Sequence, residues 1–336
     1  MHHILSIENT LLRKISHSII RIVLNSLNMK EASMINEKNI KTLGTHSGKF
    51  HADDVMATAI LRLLIGDIKV TRTRDENILR KLDFVYDISL GEFDHHQLNK
   101  EIRENNIPYA ACGLVWREFG SRVIQKFNSE FDKNDIISVF DYVDKNLVQG
   151  IDAIDNGIDI KFEIKITSIS DILQSFNPTW DSNASIDQGF EESVRYATEV
   201  IKRIINRQIS VIKASIMVNE AFQNRNINEI MILKNGCPWL QQLLKIDINK
   251  EVLFVISPGD TNVEYMIQTV KKTVDTFESR KDILESIRGK SSEDINSIIK
   301  IDDAIFCHKA GFIASTKSMA SVLKIAKLSV KSLEIK

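Results

Sequence analysis

The feature that most constrains this chain is a change of hydrophobic period repeated between residues 41 and 87. Lys41 to His46 and Ile68 to Thr73 suit short strands. Val55 to Leu64, VMATAILRLL, suits a helix with Val55, Met56, Ala59, Ile60, Leu63 and Leu64 on one face. Glu76 to Lys81 suits a shorter helix, and Phe84-Val85-Tyr86 a buried strand that stops at Asp87. Strands alternating with helices imply an α/β fold with a mainly parallel sheet flanked by helices. Further helices are expected over 110–126, 136–148 and 190–225, the last a bridge between domains. Strand character returns at 230–233 and 252–257, and a helix is expected over 319–328.

A length of 336 residues allows about two domains. Hydrophobic residues at 43% and charged residues at 26% are those of an ordinary globular chain. The net charge of -1 supplies no overall basic field, so any site for a polyanion must be local. Cys112, Cys237 and Cys307 are odd in number and far apart, which argues for a reducing compartment and against a disulfide framework. No apolar run approaches the ~20 residues of a membrane-spanning helix, so no membrane insertion is expected. Within the first 29 residues Arg13, Lys14 and Arg21 face a single acid, Glu8, among serines and helically spaced apolar positions. That is the look of a mitochondrial presequence, and equally of a surface helix.

Four of the eight histidines fall between positions 46 and 96, interleaved with Asp53, Asp54, Asp87 and Asp94. In His51-Ala52-Asp53 an extended backbone sends both polar side chains to one face. Asp53 and Asp54 also precede a helix, where an aspartate can cap free amides. Asp87 follows a buried strand and so stands at the carboxyl edge, where open parallel sheets place ligands; the loop from His46 to Asp54 opens onto the same edge. A mixed nitrogen and oxygen set suits Mn²⁺ and, less selectively, Zn²⁺, Fe²⁺ or Mg²⁺. His95 and His96 would face opposite ways on a strand, so both serve one site only if the chain bends there. Asp94 can bind metal or orient an imidazole. Asp152 and Asp155, beside the turn signal Asn156-Gly157, can complete a second cation site or simply end a helix.

Taken in order, these segments resemble the DHH phosphoesterase superfamily, and within it the melanocyte-proliferating-gene (Myg) exonuclease family. The likeness runs through GTHSGKFHADDVMATAILRLL (44–64), Val85-Tyr86-Asp87, Phe93-Asp94-His95-His96-Gln97, YAACGLVWREFG (109–120), GIDAIDNGI (150–158) and FNPTWD (176–181). It continues through CPWL (237–240), FVISP (254–258) and FCHKAGFIASTKS (306–318), covering roughly 42–330. It implies a DHH-like metal-binding catalytic domain over 41–186 and a helical connector over 187–225. A second, smaller α/β domain that binds substrate would occupy 226–336, with 1–40 as an N-terminal extension.

The resemblance further implies a metal-dependent phosphodiester hydrolase, a 3′–5′ RNA exonuclease in which two Mn²⁺ ions, or Mg²⁺ or another divalent ion, activate the attacking water. His46, His51 and Asp53 would form the first ligand segment and Asp87 would bridge two ions. Asp94 and His95 would support or bind metal, His96 would contact the scissile phosphate, and Asp155, with Asp152 as companion, would be the last metal acid. In the second domain the Gly-rich substrate element corresponds to His308-Lys309-Ala310-Gly311-Phe312, which composition alone reads equally as a buried turn.

Arg72, Arg74, Lys309 and Lys317 are the local cations expected to hold single-stranded RNA or a short oligonucleotide. The family associates with mitochondrion and nucleus; without a targeting signal the expected location is the cytoplasm. Alternatives are a hydrolase of pyrophosphate or small dinucleotides and a weakened binding protein. The second draws on one departure from the family, whose longer Gly-containing hairpin is here the short link Asp87-Ile88-Ser89-Leu90-Gly91-Glu92-Phe93. Neither the native ion nor the oligomeric state is legible.

Overall fold

The computed structural model describes residues 35–97, 100–158, 163–164, 166–259 and 263–332. The expected targeting segment lies outside the described residues. Two compact units emerge: one takes in the chain up to Phe119 with Ile151–Thr198, the other Gly120–Gly150 with the chain from Glu199 onward.

In the first unit, β1 (Leu43–Thr45) lies between β2 (Val70–Arg72) and β3 (Phe84–Val85), and both pairings are parallel, with Leu43 opposite Val70 and Phe84. This is a mixed α/β unit with a small parallel sheet and helices. Between β1 and β2 runs α1 (Ala52–Ile65). His51 occupies its cap position, and its backbone N–H donates to Asp54 Oδ1 at 3.0 Å; Asp53 and Asp54 sit in the first turn, where the helix dipole favours acids. The helix stops at Gly66, whose φ of 95° is open to glycine.

Every residue of α1 from Ala52 to Leu61 is buried, polar ones included. It is therefore a central helix, buried beyond the single apolar face that its spacing marked. Between β2 and β3 lies α2 (Glu76–Leu79). Phe84, Phe93 and Phe119 close the core beneath β3, with ring centroids 4.6 and 5.4 Å from Phe84. Phe119 lies on α3 (Ala111–Phe127).

The second unit takes in α4 (Lys133–Val143), where one helix was expected over 136–148, and the π-helical turn over Asp144–Val148 that follows; α5 (Gln149–Asp155) then carries the chain back into the first unit, which resumes at Ile151. Expected to be the smaller, the second unit carries the larger sheet. After α6 (Ile169–Gln174) in the first unit comes α7 (Ile186–Gln223), and the division between units falls within it. The five strands β4 (Ile230–Ile232), β5 (Phe254–Pro258), β6 (Tyr265–Thr269), β7 (Ala304–Cys307) and β8 (Ile313–Thr316) lie in the order β4-β5-β6-β8-β7. Only β4 and β5 pair parallel; the other pairs are antiparallel.

Strand alternation covers both faces of this sheet. Phe254 and Ile256 pack with Ile295 and Ile299 of α9 (Ser292–Ile299) and with Val322 and Ile325 of α10 (Met319–Lys331). Val255 points the other way, toward Met231, Val218 and Leu243, the last on α8 (Leu240–Ile246). Among the described residues no helix is long and apolar enough to cross a membrane.

Candidate metal centre

The carboxyl edge of the parallel sheet gathers the polar residues. His46 follows β1, and its Nε2 lies 3.3 Å from both Asp54 Oδ2 at the start of α1 and Asp87 Oδ2 after β3. His95 Nδ1 is 3.3 Å from Asp87 Oδ1 and 3.7 Å from Asp53 Oδ2, while its Nε2 meets Asp155 Oδ2 at 2.9 Å. His51 Nδ1 is 3.7 Å from Asp155 Oδ1. Three ligand sets result: His46, Asp54 and Asp87; Asp87, Asp94, His95 and His96; and His51, Asp53 and Asp155, the atoms of each set lying within 4.8 Å of one another. Asp87 belongs to two of them.

The chain bends at the paired histidines as their joint use requires. Residues 93–97 form turns rather than a strand, and the rings of His95 and His96 stand 4.1 Å apart. The short link ahead of them closes through left-handed residues: Asp87, Ser89 and Leu90 have φ of 57°, 74° and 53°. Hydrogen bonds hold it there, from Asp87 N–H to Phe93 O at 3.0 Å, Asp94 N–H to Gly91 O at 3.0 Å and Leu90 N–H to Asp94 Oδ2 at 2.7 Å. The shortened link thus still delivers Asp87, His95 and His96 to one place.

Electrostatics make this a poor place for carboxylates alone. Burial, followed by the charges of Asp87, Asp155 and Asp54, pushes Asp53 well above the ordinary aspartate range. Asp54 is pushed up to about 7, again chiefly by burial. Burial works to raise Asp87 too, but hydrogen bonds from His46 and His95 outweigh it and hold it at about 2. The reverse applies to His95: burial lowers it, and bonds to Asp155 and Asp87 overcome that and raise it to about 9. Asp53 Oδ1, Asp54 Oδ2, Asp87 Oδ1 and His95 Nδ1 are buried and make no hydrogen bond of ordinary geometry. Buried oxygens and a ring nitrogen that converge with their bonding capacity poorly met are what a divalent cation satisfies.

Of the expected ligands, His46, His51, Asp53, Asp87, His95 and Asp155 are brought together, and with them the expected catalytic pair Asp94 and His96. Asp54 joins them although it was read only as a possible helix cap; its signal was the doubled acid in His51-Ala52-Asp53-Asp54. Asp152 does not join. It is fully buried, Oδ1 accepts from Gly113 N–H at 3.0 Å, and Oδ2 pairs with Arg103 Nη1 at 2.7 Å, so its partner is a guanidinium and not the cluster.

Arg72 departs from its expected substrate role as well. Its guanidinium bonds Asp187 Oδ1 at 2.6 Å and Gly48 O at 2.7 Å and lies 4.5 Å from the Phe190 ring, so it is enclosed and engaged within the fold. Arg74 reaches Ser47 O at 3.3 Å and remains exposed. In the second unit His308, Lys309 and Gly311 (φ 72°) form the turn between β7 and β8, and Lys317 is exposed just past β8.

A histidine and aspartate cluster at the carboxyl edge of a parallel sheet defines the class: an α/β protein with a site fit to hold divalent cations. The model of the MYG1_exonuc family, described as "Uncharacterised protein family (UPF0160)", matches residues 42–330, and the chain belongs to that family. The MYG1 protein YER156C of Saccharomyces cerevisiae is 28% identical over 90% of this chain and 100% of its own. MYG1 exonuclease of Bos taurus is 30% identical over 85% of this chain and 83% of its own, and that of Homo sapiens 29% over 85% and 84%. A crystal structure of RecJ in complex with Mg²⁺ from Thermus thermophilus matches at a TM-score of 0.27 and 10% identity. That match takes in 88% of this chain and about half, 51%, of RecJ.

Proposed function

We propose that this protein is a divalent-metal-dependent phosphodiester hydrolase of nucleic acid, a 3′–5′ exonuclease acting on RNA, with its first unit arranged as in the DHH phosphoesterases. The observation that carries the reading is the sharing of Asp87 between two ligand sets in which Asp54 Oδ2, Asp87 Oδ1 and His95 Nδ1 are buried without a hydrogen bond of ordinary geometry. A carboxylate common to two sets suits a pair of ions, Mn²⁺ by the mixed donor chemistry. The exonuclease names of its mammalian relatives supply the substrate class.

Such ions supply charge neutralisation at the phosphate and a lowered pKa for the attacking water. His46, Asp54, Asp87, Asp53, His95, His51 and Asp155 would hold them. His96 is 60% exposed at its side chain and has its Nδ1 fixed by Asp94, which leaves Nε2 to meet a phosphoryl or leaving-group oxygen.

The test is a Mn²⁺ and Mg²⁺ titration of the purified protein against single-stranded RNA labelled at either end, DNA of the same sequence, a dinucleotide and pyrophosphate. Stepwise loss from the 3′ end of RNA is expected. Mn²⁺ binding without hydrolysis of any nucleic acid would sink the proposal, and turnover confined to pyrophosphate would move it to a small-substrate phosphatase.

A further inference from the structure

The second unit contains a pocket of about 1030 Å³, at the upper end of the ~300–1,000 Å³ typical of small-molecule sites. Three aromatic residues reach it from three segments: Trp239 just ahead of α8, Phe277 in the loop after β6, and Phe312 in the turn between β7 and β8. Phe277 is 94% exposed and Phe312 44%. The loop that presents Phe277 is built, not slack. Lys272 N–H donates to Glu278 O at 2.8 Å, Arg280 N–H donates to Val270 O at 2.7 Å, and Lys271 bridges Ser279. A hydrogen-bonded loop that offers a bare phenyl ring to water marks a surface made to be covered.

The polar lining narrows what covers it. The indole Nε1–H of Trp239 donates to Gln268 Oε1 at 3.2 Å, which fixes that ring and orients the Gln268 amide. Lys271 Nζ lies 5.0 Å from the Phe277 centroid, and Lys245 lines the same pocket. Of the two carboxylates in the lining, Glu278 pairs with Lys272 at 2.8 Å and Asp282 with Arg288 at 4.0 Å, and among the described residues no carboxylate lies within ion-pair distance of Lys245 or Lys271. Flat aromatic surface, an oriented amide and two cations without counter-ions match a flat heterocycle attached to a phosphate. An aliphatic chain would use neither the amide nor the cations.

We propose that this pocket takes an unstacked nucleobase of single-stranded nucleic acid, its ring against Phe277 and Trp239 and its phosphate at Lys271 and Lys245. The inference rests on the reading of the protein as a nucleic-acid hydrolase, because the occupant is part of that substrate. It adds a base-binding site made by residues outside the metal centre. Stacking on one aromatic residue accounts for roughly tenfold or more in affinity for single strands.

The test uses the full chain carrying Trp180→Phe. Trp180 is 97% exposed and Trp116 fully buried, so the substitution leaves Trp239 as the responsive indole. In EDTA, quenching is followed on titration with a short single-stranded RNA, an abasic strand of equal length, and inorganic phosphate. The RNA is expected to quench and the abasic strand to bind at least about tenfold more weakly. Phe277→Ala and Lys271→Ala, both at the surface, should each weaken RNA binding by a similar factor with Tm unchanged.

Equal affinity for the abasic strand, or wild-type affinity in Phe277→Ala, overturns the proposal. Quenching by an aromatic peptide but not by RNA does the same. Hydrolysis of RNA without base-dependent quenching removes the pocket and leaves the hydrolase reading standing. Base-dependent quenching without hydrolysis does the opposite.

Discussion

Asp94 Oδ1 accepts two hydrogen bonds from one residue: the ring Nδ1 of His96 at 2.7 Å and the His96 backbone amide at 3.0 Å. A carboxylate only accepts, so the ring proton sits on Nδ1 and Nε2 is left with a free lone pair or, once protonated, a proton to give. The other Asp94 oxygen is taken by Leu90 N–H at 2.7 Å. Asp94 is thus a positioning residue for His96 and an anchor for the link.

His96→Gln is expected to lower kcat by roughly 10²–10⁴-fold, the range for loss of an acid–base group, with Mn²⁺ affinity retained. Asp94→Asn should cost about 10–100-fold. If Asp94 acts through His96, the double variant is no slower than His96→Gln alone. Single-turnover kinetics beside metal titration measure both, and a parallel loss of Mn²⁺ affinity in His96→Gln would make His96 a ligand.

Asp87→Asn removes the carboxylate common to two ligand sets and should abolish tight Mn²⁺ binding, whereas Asp54→Asn touches one set alone. Calorimetric titration is expected to show fewer ions bound in Asp54→Asn than in wild type. Unchanged stoichiometry in Asp54→Asn would remove that residue from the site.

Metal binding must displace protons here, because Asp54 titrates at about 7 and His95 at about 9. Affinity for Mn²⁺ should therefore climb from pH 6 to pH 9, with proton release detectable as buffer-dependent binding heat. For the metal-free protein the sign reverses. Both groups hold protons more tightly folded than unfolded, so the stability they contribute is lost as pH rises, for Asp54 between about 4 and 7 and for His95 between about 6.5 and 9. Thermal melts with and without Mn²⁺ should draw apart over that range. A constant gap would show that neither group is coupled to the ion.

Asp152 and Arg103 form a pair of almost no exposure. Asp152→Asn leaves the guanidinium buried without its counter-charge and should cost roughly 3–5 kcal/mol of stability. A Cβ at Gly113 would fall within the radius of Asp152 Oδ2, so Gly113→Ala should cost about 1–3 kcal/mol. Denaturant unfolding reads both, and Mn²⁺ affinity in the folded fraction of each should match wild type.

The parallel sheet was legible because the short strand-like segments at β1, β2 and β3 are separated by stretches of helical spacing. Asp87 was legible because it ends the third of them. What the text hid is pairing between distant segments. Arg72 and Asp187 are 115 positions apart, and only the fold turns a spare cation into a structural one. Asp54 hid for another reason: an acid ahead of a helix has an ordinary use as a cap, and here the same carboxylate serves both ends, Oδ1 to the His51 amide and Oδ2 toward His46. The mainly antiparallel second sheet was missed because β6 to β8 are strands of four or five residues, too short for period to reveal direction.

The link from Asp87 to Asp94 turns through left-handed backbone at Asp87, Ser89 and Leu90, and at non-glycine positions this costs on the order of 1–2 kcal/mol each. Ser89→Gly and Leu90→Gly should therefore be easy gains in melting temperature, and a single-residue deletion there should be intolerable. A sequence that keeps serine and leucine where glycine would relax the turn is holding this segment taut. Loosening it would trade precision at His96 for durability, which makes these two positions the natural place to tune the protein in either direction.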